Sequence, residues 1–274
     1  MADAARTPSV LITGAAGRLG RLLVRRLKAS FSLSLLDRRA PAFRTDLPRH
    51  QIDLAEAQDL TACLREVDAV IHLAGIPTGR ASWEELIKSN AVATQNLLRE
   101  ARRHGCRRVF LASSVQVMDG YPPGTDITPD LPAWPVNHYG ASKACAEAVA
   151  ARFGHRGGMS VVCLRLGWVL PNFDWRITPW SPYLDRVLTE ADFVRAILAA
   201  LRREPTSGFE IHHVLSDNRR KRLNIDSARS VLGYSPRDDS FAIARTNVPG
   251  MAVSGAIRLR RSLQGLRSAS RAAG

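Results

Sequence analysis

The sequence predicts an α/β protein with a doubly wound parallel sheet, and two observations carry that expectation. The first is Ser9-Val10-Leu11-Ile12-Thr13-Gly14-Ala15-Ala16-Gly17-Arg18-Leu19-Gly20, where a run of β formers enters three glycines at a three-residue spacing. Leu19, Leu22, Leu23 and Leu27 then fall at helical intervals, so the unit reads as strand, tight turn, helix. The second is the alternation of short apolar runs with amphipathic segments that continues to about residue 165. Such alternation implies parallel strands joined by crossover helices, with ligand at the carboxyl ends of the strands.

In a strand–turn–helix of this kind the first glycine lets the chain turn sharply. The second lets backbone approach a pyrophosphate, and the third lets the helix pack close to its strand. Free N–H groups and the positive end of the helix dipole then hold phosphates, which makes Gly14 and Gly17 candidate dinucleotide contacts.

Phe31 to Leu36 reads as the second strand and ends on Asp37, 23 positions after Gly14. A carboxylate near that spacing accepts from both adenosine-ribose hydroxyls and repels a 2′-phosphate, which favours NAD. Arg38 and Arg39 follow directly and would attract a 2′-phosphate, so NADP stands as the lesser alternative. His50 to Asp53 suggests a third strand. Asp53 either meets the adenine edge or caps the helix carrying Leu60, Cys63 and Leu64. Ala69 to Leu73 is the fourth strand, closed by Ala74-Gly75, whose small size lets a backbone lie against a cofactor. A long helix follows with Ala93, Leu97, Leu98 and Ala101 on one face. Asn90 near its start is either a buried polar link between strand ends or an ordinary helix residue. Val109 to Ala112 is the fifth strand and runs into Ser113-Ser114.

Tyr139 and Lys143 are four apart at the start of a predicted helix that continues through Ala144, Ala148 and Val149, so they share one face. A phenol with a pKa near ~10 is a poor base at neutral pH. A neighbouring ammonium and a cationic nicotinamide ring would favour its phenolate, and Tyr139 could then move a proton. Lys143 could also bind the nicotinamide ribose, and Ser114 would donate to the reacting oxygen.

In this order the pieces resemble the extended short-chain dehydrogenase/reductase family, also called the NAD-dependent epimerase/dehydratase family. The matching pieces are Thr13 to Gly20, Asp37, Asp53-Leu54, His72-Leu73-Ala74-Gly75, Asn90, Ser113-Ser114, Tyr139 to Lys143, Arg165-Leu166-Gly167 and Leu232-Gly233-Tyr234-Ser235-Pro236. They span about residues 8–240. The resemblance implies a Rossmann fold and a Ser114, Tyr139 and Lys143 catalytic set. It implies cofactor contacts at Gly14, Gly17, Arg18, Leu19, Asp37, Asp53, Leu54, Leu73 and Lys143, and Ala16, Arg38, Ala74, Gly75, Asn90 and Tyr139 join them as candidate contacts. It also implies pairing of helices into a homodimer.

Within the family, the segment 115–135 and the short C-terminal half are most similar to uronate dehydrogenases, which oxidise the C1 hydroxyl of a hexuronic acid with NAD. That subgroup implies substrate contacts at Ser114, Val115, Gln116, Trp168 and Arg176, the last gripping a sugar carboxylate. Three polar sugar contacts of the subgroup are replaced here: Asn-His by Val115-Gln116, one Ser by Pro77 and another by Trp168. The expected reaction is hydride transfer from a hydroxyl-bearing carbon of a small sugar, sugar acid or cyclic polyol to NAD. The rivals are an epimerase or dehydratase with transient oxidation and a non-catalytic dinucleotide-sensing protein.

The rest of the chain bounds this reading. With 274 residues, 45% apolar and 23% charged, it suits one large domain with a small lobe. The expected division is a core to 165, a substrate lobe over 166–240 and a basic tail over 241–274. The net charge of +14 concentrates at 99–108, 217–222 and 258–271, without any motif of nucleic-acid recognition. We expect no nucleic-acid partner and no membrane partner. Cys63, Cys106, Cys145 and Cys163 lie far apart with no CxxC pair, which suggests reduced, mostly buried thiols in a cytoplasmic protein. Phe173 to Tyr183, with Trp175, Arg176 and Trp180, reads as a lid or as local packing of the lobe. Thr189 to Arg202 is a predicted helix whose buried face is Phe193, Ile197, Leu198 and Leu201, with Thr189 and Asp192 resembling a capping box. His212-His213 in a strand point to opposite faces, so no metal site is assigned. The tail carries Arg258, Arg260, Arg261, Arg267 and Arg271 and reads as a basic helix over 255–266.

Overall fold

The computed structural model describes residues 6–247 except 41, 42, 44, 156, 157, 172, 173 and 175. The expected basic helix at 255–266, with Phe173 and Trp175, lies outside the described residues.

The elements run β1 (Ser9–Thr13), α1 (Arg18–Leu27), β2 (Ser32–Asp37), β3 (Arg49–Gln51), α2 (Thr61–Leu64), β4 (Ala69–His72), α3 (Trp83–Leu86), a π-helical segment (Ile87–Val92) and α4 (Ala93–Arg103). They continue with β5 (Arg108–Ser114), α5 (His138–His155), β6 (Ser160–Leu166), β7 (Trp168–Leu170), β8 (Val187–Thr189), α6 (Glu190–Arg202), β9 (Gly208–Val214), α7 (Asp226–Leu232) and α8 (Ser240–Thr246). Seven strands form one sheet in the order β3-β2-β1-β4-β5-β6-β9, and every pairing is parallel. This is the predicted doubly wound sheet, with its direction of winding reversed between β1 and β4.

Two cores follow from the alternation of side chains along each strand. Val10, Ile12, Phe110, Val162 and Leu164 point to the face covered by α1 and α6, where Leu23, Leu27, Phe193 and Ile197 meet them. Leu11, Val109, Leu111, Val161 and Cys163 point to the other face, against Leu64 of α2, Leu97 and Leu98 of α4 and Ala146 and Ala150 of α5. No helix among the described residues is long and apolar enough to cross a membrane.

The structure departs from the sequence reading in several places. The third strand is Arg49–Gln51 rather than 50–53, and Asp53 sits in a turn, where its Oδ1 accepts from the Ala55 N–H at 2.9 Å. Asp53 therefore does not cap α2; Asp59 accepts from the Thr61 N–H there instead. The boundary at 165 falls inside β6, and β9 and α6 belong to the main sheet and its core. The smaller unit is built from β7, β8 and α8 around Leu170, Ile177, Leu184, Val187 and Ala244. On α6, Leu198 and Leu201 are only partly buried, and Val194, Ala196 and Ala200 complete the face with Phe193 and Ile197. Thr189 does cap α6 by accepting from the Asp192 N–H at 3.1 Å, but the Asp192 carboxylate accepts from the Arg237 and Asp238 N–H groups instead of returning to Thr189. Three cysteines are buried, while Cys145 is exposed.

The turn after β1 is the tightest point of the fold. Gly14 has φ +69°, and a Cβ there would lie 2.7 Å from the Ala74 N and Leu73 C atoms at the end of β4. A Cβ at Gly20 would lie 2.4 Å from the Gly14 carbonyl oxygen and 2.6 Å from the Ala15 Cα. All of these neighbours are backbone and cannot swing aside. Gly20→Ala is therefore expected to destabilise the protein by roughly 1–3 kcal/mol through overpacking, read as a lower urea midpoint. An unchanged midpoint would mean that α1 can move away without loss.

Candidate functional site

Where winding reverses between β1 and β4, the crossovers leave the sheet in opposite directions and a cleft opens at the carboxyl ends of the strands. The cleft has a volume of about 680 Å³, within the ordinary range for a small-molecule site. Gly14, Gly17, Arg18, Leu19, Asp37, Arg38, Asp53, Leu54, Leu73, Ala74, Gly75, Ser114, Gln116, Tyr139, Lys143, Trp168 and Arg176 all line it. The sequence separates these residues by more than 160 positions, and the sheet brings them to one edge.

The nucleotide half fits a dinucleotide. No side chain caps the first turn of α1 and no acidic residue lies in it, so its backbone donors are left for a bound anion. Asp37 ends β2 with its Oδ2 accepting from the Ala16 N–H and its Oδ1 from the Arg39 N–H, each at 2.9 Å. These two bonds fix the carboxylate, and each oxygen keeps a lone pair for a ribose hydroxyl. Ala16 contributes through this backbone bond and does not line the cleft. Arg18 pairs with Glu190 at 2.5 Å and donates to the Val169 carbonyl, tying α1 to β7 across the cleft.

Asn90 is buried and also stays out of the cleft lining. It is the polar link, not a direct contact. Its Oδ1 accepts from the Ile76 N–H at 2.9 Å, and its Nδ2 donates to the Ile76 carbonyl and to the Ser142 Oγ. Asn90 lies in the π-helical segment, and Ser89 of that segment and Ala93 at the start of α4 line the cleft. A second strut runs beneath it. The Thr94 hydroxyl donates to the Asn90 carbonyl, so it accepts from His72 Nε2 at 3.0 Å, and His72 Nδ1 accepts from Thr13 Oγ1 at 2.7 Å. Burial holds His72 neutral, with its pKa down at about 3.

The chemical half is carried by β5 and α5. Ser114 Oγ accepts from the Gln116 N–H at 3.2 Å, and its hydroxyl also bonds the Tyr139 phenol at the cleft edge. Gln116 is fixed by Asn137, whose Nδ2 donates to the glutamine Oε1 at 2.9 Å and whose Oδ1 accepts from the Gly140 N–H at 2.8 Å. Asn137 thus joins the start of α5 to the substrate wall. Its signal in the sequence was an Asn just ahead of a predicted helix, a cap in waiting. Burial raises the Tyr139 phenol above its ordinary value, and the Ser114 hydroxyl beside it acts in the opposite direction. Burial pulls Lys143 down to about 8, against the charge of Glu147, and its Nζ donates to the Ala112 carbonyl at 3.0 Å. Sequence reasoning gave Lys143 the task of depressing the tyrosine; in this structure burial dominates at Tyr139 and the Ser114 hydroxyl only partly offsets it.

Two substrate residues differ from expectation. Val115 is buried in a cluster with Val117 and Met118 and faces away from the cleft. Arg176 lines the cleft, but Asp174 already holds its guanidinium in two bonds of 2.7 and 2.6 Å. Trp168 packs against Tyr183 with ring centroids 4.2 Å apart, giving that wall an aromatic face. Trp180 is 71% exposed.

Known proteins match this arrangement. Residues 10–173 match the family described as the NAD dependent epimerase/dehydratase family. The chain is 31% identical to an NAD-dependent glucose-6-phosphate dehydrogenase of Haloferax volcanii, over 84% of this chain and 94% of the relative. It is 30% identical to a uronate dehydrogenase of Agrobacterium fabrum, over 86% of this chain and 87% of the relative. A crystal structure of uronate dehydrogenase from Agrobacterium tumefaciens, a mutant complexed with NAD, superposes with a TM-score of 0.78 at 29% identity, over 88% of this chain and 89% of that one. The family match covers more than half of the chain and includes its glycine turn, Asp37 and its Ser-Tyr-Lys edge: the protein belongs to the NAD dependent epimerase/dehydratase family.

Proposed function

We propose that the protein is an NAD-dependent dehydrogenase acting on a hydroxyl-bearing ring carbon of a small sugar, sugar acid or cyclic polyol. The relatives that it matches along most of their length include dehydrogenases of a sugar phosphate and of uronates. The observation that carries the reading is that Ser114, Tyr139 and Lys143 share one cleft with Gly14, Gly17 and Asp37. NAD, when bound, supplies the hydride acceptor and a cationic ring that favours a nearby phenolate. Tyr139 takes the hydroxyl proton as the hydride leaves carbon. Ser114 donates to the same oxygen and holds it in place. Lys143, fixed by the Ala112 carbonyl, offers an ammonium to the ribose and to the Tyr139 phenolate that takes the proton.

The substrate wall supports a ring ligand and gives only a shielded cation for a carboxylate, since Asp174 already shares the charge of Arg176. Pairing of two chains through helices and a cytoplasmic location belong to the same proposal and rest on the family resemblance and on the cysteine pattern.

An absorbance screen for NADH over matched aldoses, aldose phosphates, uronates and cyclic polyols tests the reading. Net NADH with one of them supports a dehydrogenase; product without net NADH supports the epimerase alternative. Tyr139→Phe is expected to lower turnover by roughly 10²–10⁴-fold while calorimetry still shows NAD binding. Unimpaired turnover would remove the phenol from the mechanism. Asp37→Ala is expected to weaken NAD by about 10-fold or more, through the loss of hydrogen bonds to a charged acceptor. The same change should raise the NADP to NAD preference, because Arg38 and Arg39 remain; equal losses for both cofactors would place the ribose elsewhere.

A further inference from the structure

Behind the cleft lies a second charged group that the reaction as described does not use. Glu147 is one helical turn beyond Lys143 on α5, and both side chains are buried. Three consecutive residues of β5 divide the work of holding this edge. The Ala112 carbonyl accepts from Lys143, the Ser113 hydroxyl donates to Glu147 Oε1, and Ser114 faces the cleft. Arg165 on β6 completes the carboxylate's surroundings, with Nε donating to Oε1 at 2.9 Å and Nη2 to Oε2 at 2.8 Å. The guanidinium also donates to the Pro129 carbonyl at 3.3 Å and to His213 Nε2 at 3.3 Å. His213 Nδ1 in turn donates to the Asn224 carbonyl at 3.0 Å, which settles the histidine tautomer. The carboxylate is therefore held through both oxygens, Oε1 by Ser113 and Arg165 and Oε2 by Arg165.

The ionisable groups around Lys143 are Tyr139 and Glu147 on its own helix, Cys163 and Arg165 on β6, and His72 on β4. Near neutral pH most of them carry no negative charge. Burial keeps the Cys163 thiol well above its ordinary value and Tyr139 above its own. Burial likewise keeps His72 uncharged, down to about 3. Among the described residues, Glu147 is the anion left beside the lysine.

We propose that Glu147 is a positioning residue of the reaction, whose fixed carboxylate keeps the buried Lys143 in its ammonium form against desolvation. Arg165 and Ser113 hold the carboxylate at its station. The proposal rests on the dehydrogenase reading for the use made of the ammonium, but not for the charge itself. It predicts that the alkaline limit of turnover is set by Lys143 and moves when Glu147 loses its charge.

The chain has only four lysines, Lys28, Lys88, Lys143 and Lys221, so lysine labelled with ¹³C at Cε gives a readable spectrum. The Lys143 resonance is assigned by its loss in Lys143→Met and followed against pH in the protein without substrate. In Glu147→Gln the midpoint is expected to fall by about one pH unit, as for loss of a close opposite charge. That variant leaves Arg165 buried without its partner and can fail to fold. Glu147→Gln combined with Arg165→Met removes both charges at similar volume, a change that buried pairs tolerate. Arg165 carries the opposite charge to Glu147 against the same side chain, so the fall is expected to be smaller in the double variant than in Glu147→Gln. With a substrate found in the NADH screen, the alkaline limb of kcat/KM is expected to move down by the same amount. A lysine midpoint unchanged in the folded variants overturns the proposal. A shifted midpoint with no sugar oxidised by the wild type upholds the charge relation and instead sinks the dehydrogenase reading.

Discussion

The structure depends on one close approach, that of the β1 turn to the end of β4. Parallel strands that wind in opposite directions from a common seam must part at their carboxyl ends, and the cleft is the gap that results. The seam stays narrow only because Gly14 adopts a left-handed conformation and has no Cβ to strike the Leu73–Ala74 backbone. Gly20 then lets α1 settle on that turn. Thr13 reinforces the seam from within: its hydroxyl bridges to His72 and accepts from the Ala74 N–H at 3.3 Å. Moving this seam by even a side-chain radius would displace the phosphate end of the cleft relative to Asp37 and relative to the β5 edge together.

Buried polar groups do the remaining positioning. A hydroxyl or amide removed from water must find a partner or carry a penalty of about 1–3 kcal/mol. Asn90 is satisfied only if Ile76 and Ser142 stand where they do, and Ser142 Oγ donates to the Tyr139 carbonyl at 2.8 Å. The loop after β4, the π-helical segment and the first turn of α5 are thereby held to one another. The same logic governs Asn137, which meets Gln116 and the Gly140 N–H at once. Directional bonds of this kind fix side chains more narrowly than apolar packing, which tolerates rearrangement at constant volume.

How much of this was legible beforehand follows from where each signal lies. The glycine turn, Asp37 and the Tyr139–Lys143 pair announce themselves through local spacing, and the structure brings them to one cleft. The role of Asn90 was visible only as a choice between alternatives, because its partners Ile76 and Ser142 lie 14 and 52 residues away. β9 was read as a strand but not as part of the main sheet, since strand pattern says nothing about which edge a parallel strand joins. Val115 was placed in the substrate wall by its position in the uronate dehydrogenase subgroup, yet its apolar side chain belongs in the core, where it is 1% exposed. Arg176 was read as a free grip, and Asp174 two residues earlier was overlooked as its partner. The charge on Glu147 escaped notice because a Glu inside a helix is ordinarily a solvated one.

The buried lysine also weighs against a purely sensory protein. Holding Lys143 at about 8 instead of 10.5 means that the fold carries its ammonium at a cost of roughly 3 kcal/mol. A methionine would fill the same space without that cost. Binding a ribose alone would not require a phenol one turn away with a serine hydroxyl bonded beside it in the cleft. Each of these groups has a use in proton transfer: a phenol that must ionise before it can take the proton, a hydroxyl to hold the reacting oxygen, and an ammonium to stabilise the phenolate. A protein that only held a dinucleotide would relax such an arrangement toward apolar packing, since most changes that remove a buried charge with its partner are neutral or stabilising. The stability carried as a burden at this edge is therefore best understood as the physical requirement of a reaction.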